Sequence, residues 1–145
     1  MMTLEIKDGE LNGYFEHLSF IVHGGELLNL KCRSEEGCRA LLMAVMGIVP
    51  LDGGYVTLDG EEINERSAVY MRRFMGYVPR ELRLPDGSDR HQSAEEQHAE
   101  LLQTVASLHK PVVLVDSVCD ETQLSLCRKM ASDGSAVLIV SETEN

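Results

Sequence analysis

Two apolar runs late in the chain, PVVLVD at 111–116 and AVLIVS at 136–141, restrict the fold more than any other feature. Neither alternates apolar with polar residues, so each must be covered on both faces, as strands of a parallel sheet are. Residues 121–132 between them read as a helix, and Gly134 ends it. Strand, helix and parallel strand in succession define an α/β fold, a sheet with helices packed over it. The 145 residues fit one domain, 1–145, and a chain of this length buries roughly two-thirds of its unfolded surface.

The first half reads as short strands separated by glycine turns. LEIKDGEL (4–11) alternates as a half-buried strand does and turns at Asp8-Gly9. A strand through Leu18, Phe20 and Val22 follows, then a Gly24-Gly25 turn and a strand through Leu27, Leu28 and Leu30. ALLMAVMGIV (40–49) consists mostly of unbranched helix formers and is apolar nearly all round, which predicts a buried helix stopped by Pro50. GYVTLDGEEI is a strand ending in the Asp59-Gly60 hairpin signal. SAVYMRRFMGYVP (67–79) predicts a short helix leading into a strand at 76–78, and 80–92 a polar loop. Ser93 and Glu96 form a capping box opening a helix to about Leu108, with Leu101, Leu102, Val105 and Leu108 on one stripe.

Charge narrows the function. A formal net charge of −11 repels nucleic-acid phosphates and anionic headgroups, which excludes nucleic acid as a partner and leaves a basic protein surface open. Cys32, Cys38, Cys119 and Cys127 have five and seven residues between the members of each pair, not the Cys-x-x-Cys of zinc or redox sites. They read as free, buried thiols in a reducing cytoplasm. Met1 to Glu10 lacks the basic start and apolar run of a leader, and no stretch is apolar over the length of a membrane span. The expected location is cytoplasmic, peripheral at most to a membrane complex and without direct insertion.

In this order the elements resemble the nucleotide-binding domain of the ATP-binding cassette (ABC) ATPases over nearly the whole chain. LSFIVHGGELLNL is similar to the strand, turn and strand that lead into the family's phosphate loop. LLMAVMGIVPLDGGYVTLDGEEI matches its helix, Pro-x-x-Gly turn and Leu-Asp-Gly strand, and MRRFMGYVPRE its segment ending in the glutamine loop. HKPVVLVD resembles the strand carrying the magnesium aspartate, GSAVLIVSET the strand ending in the switch histidine. The resemblance implies a P-loop NTPase-like core: a mainly parallel sheet flanked by helices, with an antiparallel N-terminal β portion.

Laid on the family's motifs, the functional residues are replaced. A phosphate loop needs glycines that turn successive N–H groups toward phosphate, a lysine, and a hydroxyl for magnesium. In CRSEEGCRALL the first glycine falls on Cys32, the lysine on Cys38 and the hydroxyl pair on Arg39 and Ala40; Gly37 alone remains. Glu35 and Glu36 stand where the triphosphate would lie, and Arg33 and Arg39 read as solvated or paired with them. Asp116 keeps the magnesium position as a candidate metal ligand. The glutamate that activates water is Ser117, the Q-loop glutamine Arg80 and the switch histidine Glu142. Tyr14 is the one aromatic placed to stack on adenine and reads as packing. From Arg80 to Asp116 is 36 positions, too short for the helical subdomain, and no Leu-Ser-Gly-Gly-Gln signature occurs.

These residues predict a degenerate ABC-like module with no catalytic residue and no cofactor, acting through a protein partner: itself, an intact ABC ATPase or a permease-associated subunit. The alternative keeps weak binding of ATP and Mg2+ at the 32–40 loop. A further candidate gathers Cys32, Cys38 and Cys119 with Asp116 or His23 into a metal or redox site. If the helical subdomain is missing, the surface from Arg80 to Gln92 is the expected neighbour of an interface.

Overall fold

The computed structural model describes residues 1–80 and 94–143. The antiparallel sheet has the order β2-β1-β4-β5 and is formed by β1 (Thr3–Leu11), β2 (Phe15–His23), β4 (Gly53–Leu58) and β5 (Glu61–Glu62). The parallel sheet has the order β3-β8-β7-β6 and comprises β3 (Leu27–Cys32), β6 (Met75–Val78), β7 (Val112–Asp116) and β8 (Ala136–Glu142). Among the described residues the helices are α1 (Glu35–Val45), α2 (Ala68–Met71), α3 (Ala94–Ser107) and α4 (Glu121–Ser132), with a 3-10 turn at Arg72–Phe74 after α2. This is the expected mixture of an antiparallel portion and a helix-flanked parallel sheet.

The two apolar runs become β7 and the body of β8, with 112–116 and 136–140 all buried. Their alternate residues feed two cores. Val112, Leu114, Ala136, Leu138 and Val140 face one core with α1, β1 and β4; Val113, Val115, Val137 and Ile139 face another with α3 and α4. A period of two on a strand with apolar layers on both sides therefore produces an unbroken apolar sequence.

Three local expectations are corrected. Asp8-Gly9 is a bulge inside β1, not a turn: Asp8 has φ 53° and the register with β2 shifts between Ile6 and Gly9. The chain reverses at 12–14 instead. Gly54 lies against the bulge, where a Cβ would stand 2.2 Å from the Asp8 carbonyl oxygen at φ +73°, so only glycine fits. Helix α1 starts at Glu35 rather than at 40, because Ser34 caps it by accepting from the Gly37 N–H at 2.9 Å. It ends at Val45, with Met46 as its C-cap and Gly47 at φ +74° just beyond, before Pro50 is reached. Leu108 lies beyond α3, 55% exposed, so it leaves the apolar stripe. The capping serine Ser93 and the 81–92 part of the polar loop lie outside the described residues. Among the described residues no helix is long and apolar enough to cross a membrane.

Candidate functional site

The site lies at the carboxyl ends of the parallel strands, and strand register assembles it. Cys32 pairs with Glu142 and Asp116 with Val140, while Val78 pairs with Val115. Arg80 follows β6 by two residues, so β6, β7, β8 and the start of α1 deliver Arg80, Asp116, Glu142 and Glu35 to one place. Ligands in open α/β sheets bind outside this end of the strands.

One guanidinium joins three carboxylates there. Arg80 Nη1 donates to Glu142 Oε1 at 2.5 Å and lies 3.6 Å from Glu35 Oε1; Nη2 donates to Asp116 Oδ1 at 3.4 Å. The Asp116 side chain is 3% exposed, that of Arg80 24%. Burial pushes the Asp116 carboxyl above the usual carboxylate range, and the Arg80 charge and hydrogen bond hold it down only in part. For Arg80, burial works against the charge, but the Glu142 hydrogen bond and the Asp116 and Glu35 charges outweigh it, and its pKa is raised.

The phosphate-loop candidates take a different form from the sequence expectation. The strand-to-helix turn is kept, but Glu35 and Glu36 form the first turn of α1 instead of a loop tip. Two carboxylates are favourable at the positive end of a helix dipole, which accounts for their presence without any ligand. The Gly37 N–H, which a phosphate would need, goes to the Ser34 hydroxyl. Cys38 is fully buried in the core beside Leu42, Ala40 is half-buried, and Arg33 and Arg39 are exposed to solvent. Glu35 pairs with Arg80, not with either of those arginines. Tyr14 packs beside the loop, its ring 4.0 Å from where a Gly37 Cβ would lie. It lines an open cleft of about 380 Å³ with Leu18, Leu30, Arg33 and Leu41.

The thiols do not gather as the metal or redox candidate requires. Cys32 and Cys38 are close neighbours, and burial raises both, Cys38 to about 12. Cys127 is buried too, but Cys119 is exposed, against the reading of four buried thiols. His23 is held by Thr3 at 3.0 Å. Among the described residues no group of three or more His, Cys, Asp or Glu side chains is placed to hold a metal.

His98 was not among the sequence candidates. It is 4% exposed on α3, with Nδ1 3.1 Å from the Pro79 carbonyl and Nε2 3.0 Å from the Ser117 carbonyl. One ring thus touches the backbone on either side of the site, next to Arg80 and next to Asp116. Its signal was present: position 98 lies on the helical stripe of Leu101, Leu102 and Val105. Ser117 turns out of β7 at φ 65°, which aims its carbonyl at that ring.

No family model matches the chain. Its sequence is similar to the ribose import ATP-binding protein RbsA of Bacillus licheniformis, 33% identical over 61 residues, which is 42% of this chain and 12% of the relative. RbsA of Bacillus cereus is 31% identical over 68 residues, 47% of this chain and 14% of that protein. The match thus spans only a small part of these relatives' length. Among solved structures, an ATP-binding subunit of an ABC transporter superposes with a TM-score of 0.72 at 16% identity, covering 96% of this chain and 79% of the other. The cbiO1 protein of Clostridium perfringens, part of the ABC transporter complex cbiONQ, gives 0.72 at 13% identity, covering 97% and 78%. The chain has the fold of an ABC transporter ATP-binding domain.

Proposed function

We propose that this chain is an ABC-like module that does not hydrolyse ATP and works through association with protein. One observation carries the reading: the Arg80 guanidinium is bound to Asp116, the candidate magnesium ligand, and to Glu142 and Glu35. The residues present do not fit a magnesium nucleotide. A cation already compensates Asp116, no lysine or hydroxyl follows Gly37, and the Gly37 N–H is taken by Ser34. Ser117 in place of a carboxylate supplies no general base for water, a contribution worth about 10²–10⁴-fold. The partner is a second copy, an intact ABC ATPase or a permease-associated subunit.

A second reading keeps weak nucleotide binding at residues 32–40, and the cleft beside Tyr14, Gly37 and Arg33 favours it. Titration calorimetry with ATP and Mg2+ separates the two. No heat is expected, and a dissociation constant at or below about 100 μM would overturn the first reading. A phosphate-release assay with the chain alone, and mixed with an intact ABC ATPase, should stay at background. Release above it would restore a hydrolytic role.

A further inference from the structure

Cys119 and His23 stand apart, but two of the four thiols meet at the turn between β3 and α1. Cys32 is the last residue of β3, and Cys38 is the fourth residue of α1. The backbone folds back sharply between them. The Cys38 N–H donates to the Ser34 carbonyl at 3.0 Å, and a Cβ at Gly37 would lie 3.9 Å from the Cys32 Cβ. Helical side chains lean toward the N-terminus of their helix, which directs the Cys38 thiol back over this turn toward the strand end. The two side chains are close neighbours there and pack in the same core. Their exposure differs. Cys38 is 0% exposed, whereas Cys32 is half-buried and lines the open cleft with Tyr14 and Leu41. One thiol meets solvent, and the other stands behind it.

We propose that Cys32 and Cys38 are a reversible dithiol–disulfide pair, closed by a small disulfide such as oxidised glutathione. In the first step the Cys32 thiolate attacks one sulfur of the small disulfide. A bond forms to Cys32 Sγ, the small molecule's S–S bond breaks, and one small thiolate leaves. In the second step the Cys38 thiolate attacks Cys32 Sγ, forming the Sγ–Sγ bond and expelling the other small thiolate. Two electrons pass from the protein to the small disulfide, and the two thiol protons end on two small thiols. Burial pushes both thiols up, Cys38 to about 12, which leaves about one part in 10⁴ of it as thiolate at pH 8. Proximity outweighs that deficit, because well-oriented intramolecular groups reach effective molarities of about 10⁵ M and above. A thiolate of high pKa is also the stronger nucleophile. The link ties the end of β3 to α1 across the strand-to-helix turn, and it holds whether or not the chain works through a protein partner.

The test incubates the folded full chain with oxidised glutathione, alkylates the remaining thiols in urea and reads tryptic peptides by mass spectrometry. Trypsin cleaves after Lys31, Arg33 and Arg39, so the link joins two separate peptides, 32–33 and 34–39. The expected result is that joined pair, with both thiols lost to alkylation, restored by dithiothreitol, and circular dichroism unchanged. The exposed Cys119 takes glutathione in the same sample and serves as the control that the oxidant is active. Cys38→Ala should stop the reaction at a glutathione adduct on Cys32, and Cys32→Ser should leave Cys38 a free thiol. Three results overturn the proposal: Cys32 and Cys38 still alkylated after oxidation, separate glutathione adducts on both, or a 32–38 link that forms only in urea. None of them touches nucleotide binding, which calorimetry decides separately.

Discussion

Arg80 Nη1 donates to Glu142 Oε1 at 2.5 Å, joining two residues 62 positions apart in sequence. Each stands where the family resemblance places an uncharged or basic polar group, glutamine for one and histidine for the other. Taken separately they are two losses. Together they are a charge pair, with the same guanidinium also donating to the buried Asp116.

Replacing Arg80 by Gln should therefore destabilise the chain, because Asp116, 3% exposed, loses the cation that favours its charged form. The expected loss is about 1–2 kcal/mol, reduced from the fully buried case because Glu142 is half in solvent. Urea unfolding midpoints measure it. In the double-mutant cycle with Glu142→Gln, a coupling indistinguishable from zero would show that the pair contributes nothing.

His98→Leu leaves the Pro79 and Ser117 carbonyls without the ring that faces both. Losing the imidazole's hydrogen bond to a part-buried carbonyl makes this change cost about 1–3 kcal/mol despite the similar size of leucine. Hydrogen exchange should quicken first around Ser117 and the end of β6. Uniform exchange with unchanged stability would mean that the two contacts are not made in solution.

Gly54→Ala should cost upwards of about 3 kcal/mol, since its Cβ would stand 2.2 Å from the Asp8 carbonyl oxygen at a positive φ. Gly60→Ala is the matched control: its φ is also positive, at +83°, but a Cβ there meets nothing within 4 Å. Thermal unfolding of the two variants should therefore separate widely. Equal losses would mean that backbone conformation alone is responsible and the close approach is not.

The thiols should react unequally. Burial pushes Cys38 up to about 12 and Cys127 to about 11, so both stay protonated and shielded at pH 8, while Cys119 is exposed. Maleimide labelling followed by mass spectrometry should modify Cys119 in the native chain, and Cys38 and Cys127 only after unfolding. For both buried thiols the folded pKa lies above the unfolded value of 9.0, so their stabilising contribution is complete below pH 9. It declines as pH rises toward 11 and 12, and the unfolding free energy should fall through that window. Rising stability there would contradict the burial of these groups.

Much of the fold was legible because it rests on local periodicity. The continuous runs at 112–116 and 136–140 required cover on both faces, and the structure provides α1 on one side and α3 with α4 on the other. The Asp59-Gly60 turn, with φ of 52° and 83°, and the α4 boundaries followed from residue type in the same way. Misreadings arose where one residue serves two elements. Gly54 permits a bulge in a different strand, so Asp8-Gly9 looked like a turn, and Ser34 caps a helix whose first turn carries two glutamates that looked like a loop.

By itself the sequence determined the sheet-and-helix order and the two faces of β7 and β8. Those properties depend on neighbours within a turn or two of chain, or on residue identity alone. Only the tertiary structure decided that Arg80 meets Asp116, Glu142 and Glu35, and that His98 spans the two strand ends. An ion pair is set by which strand ends come level, and that is fixed by the parallel register of β3, β8, β7 and β6, for which no short stretch of sequence carries the information.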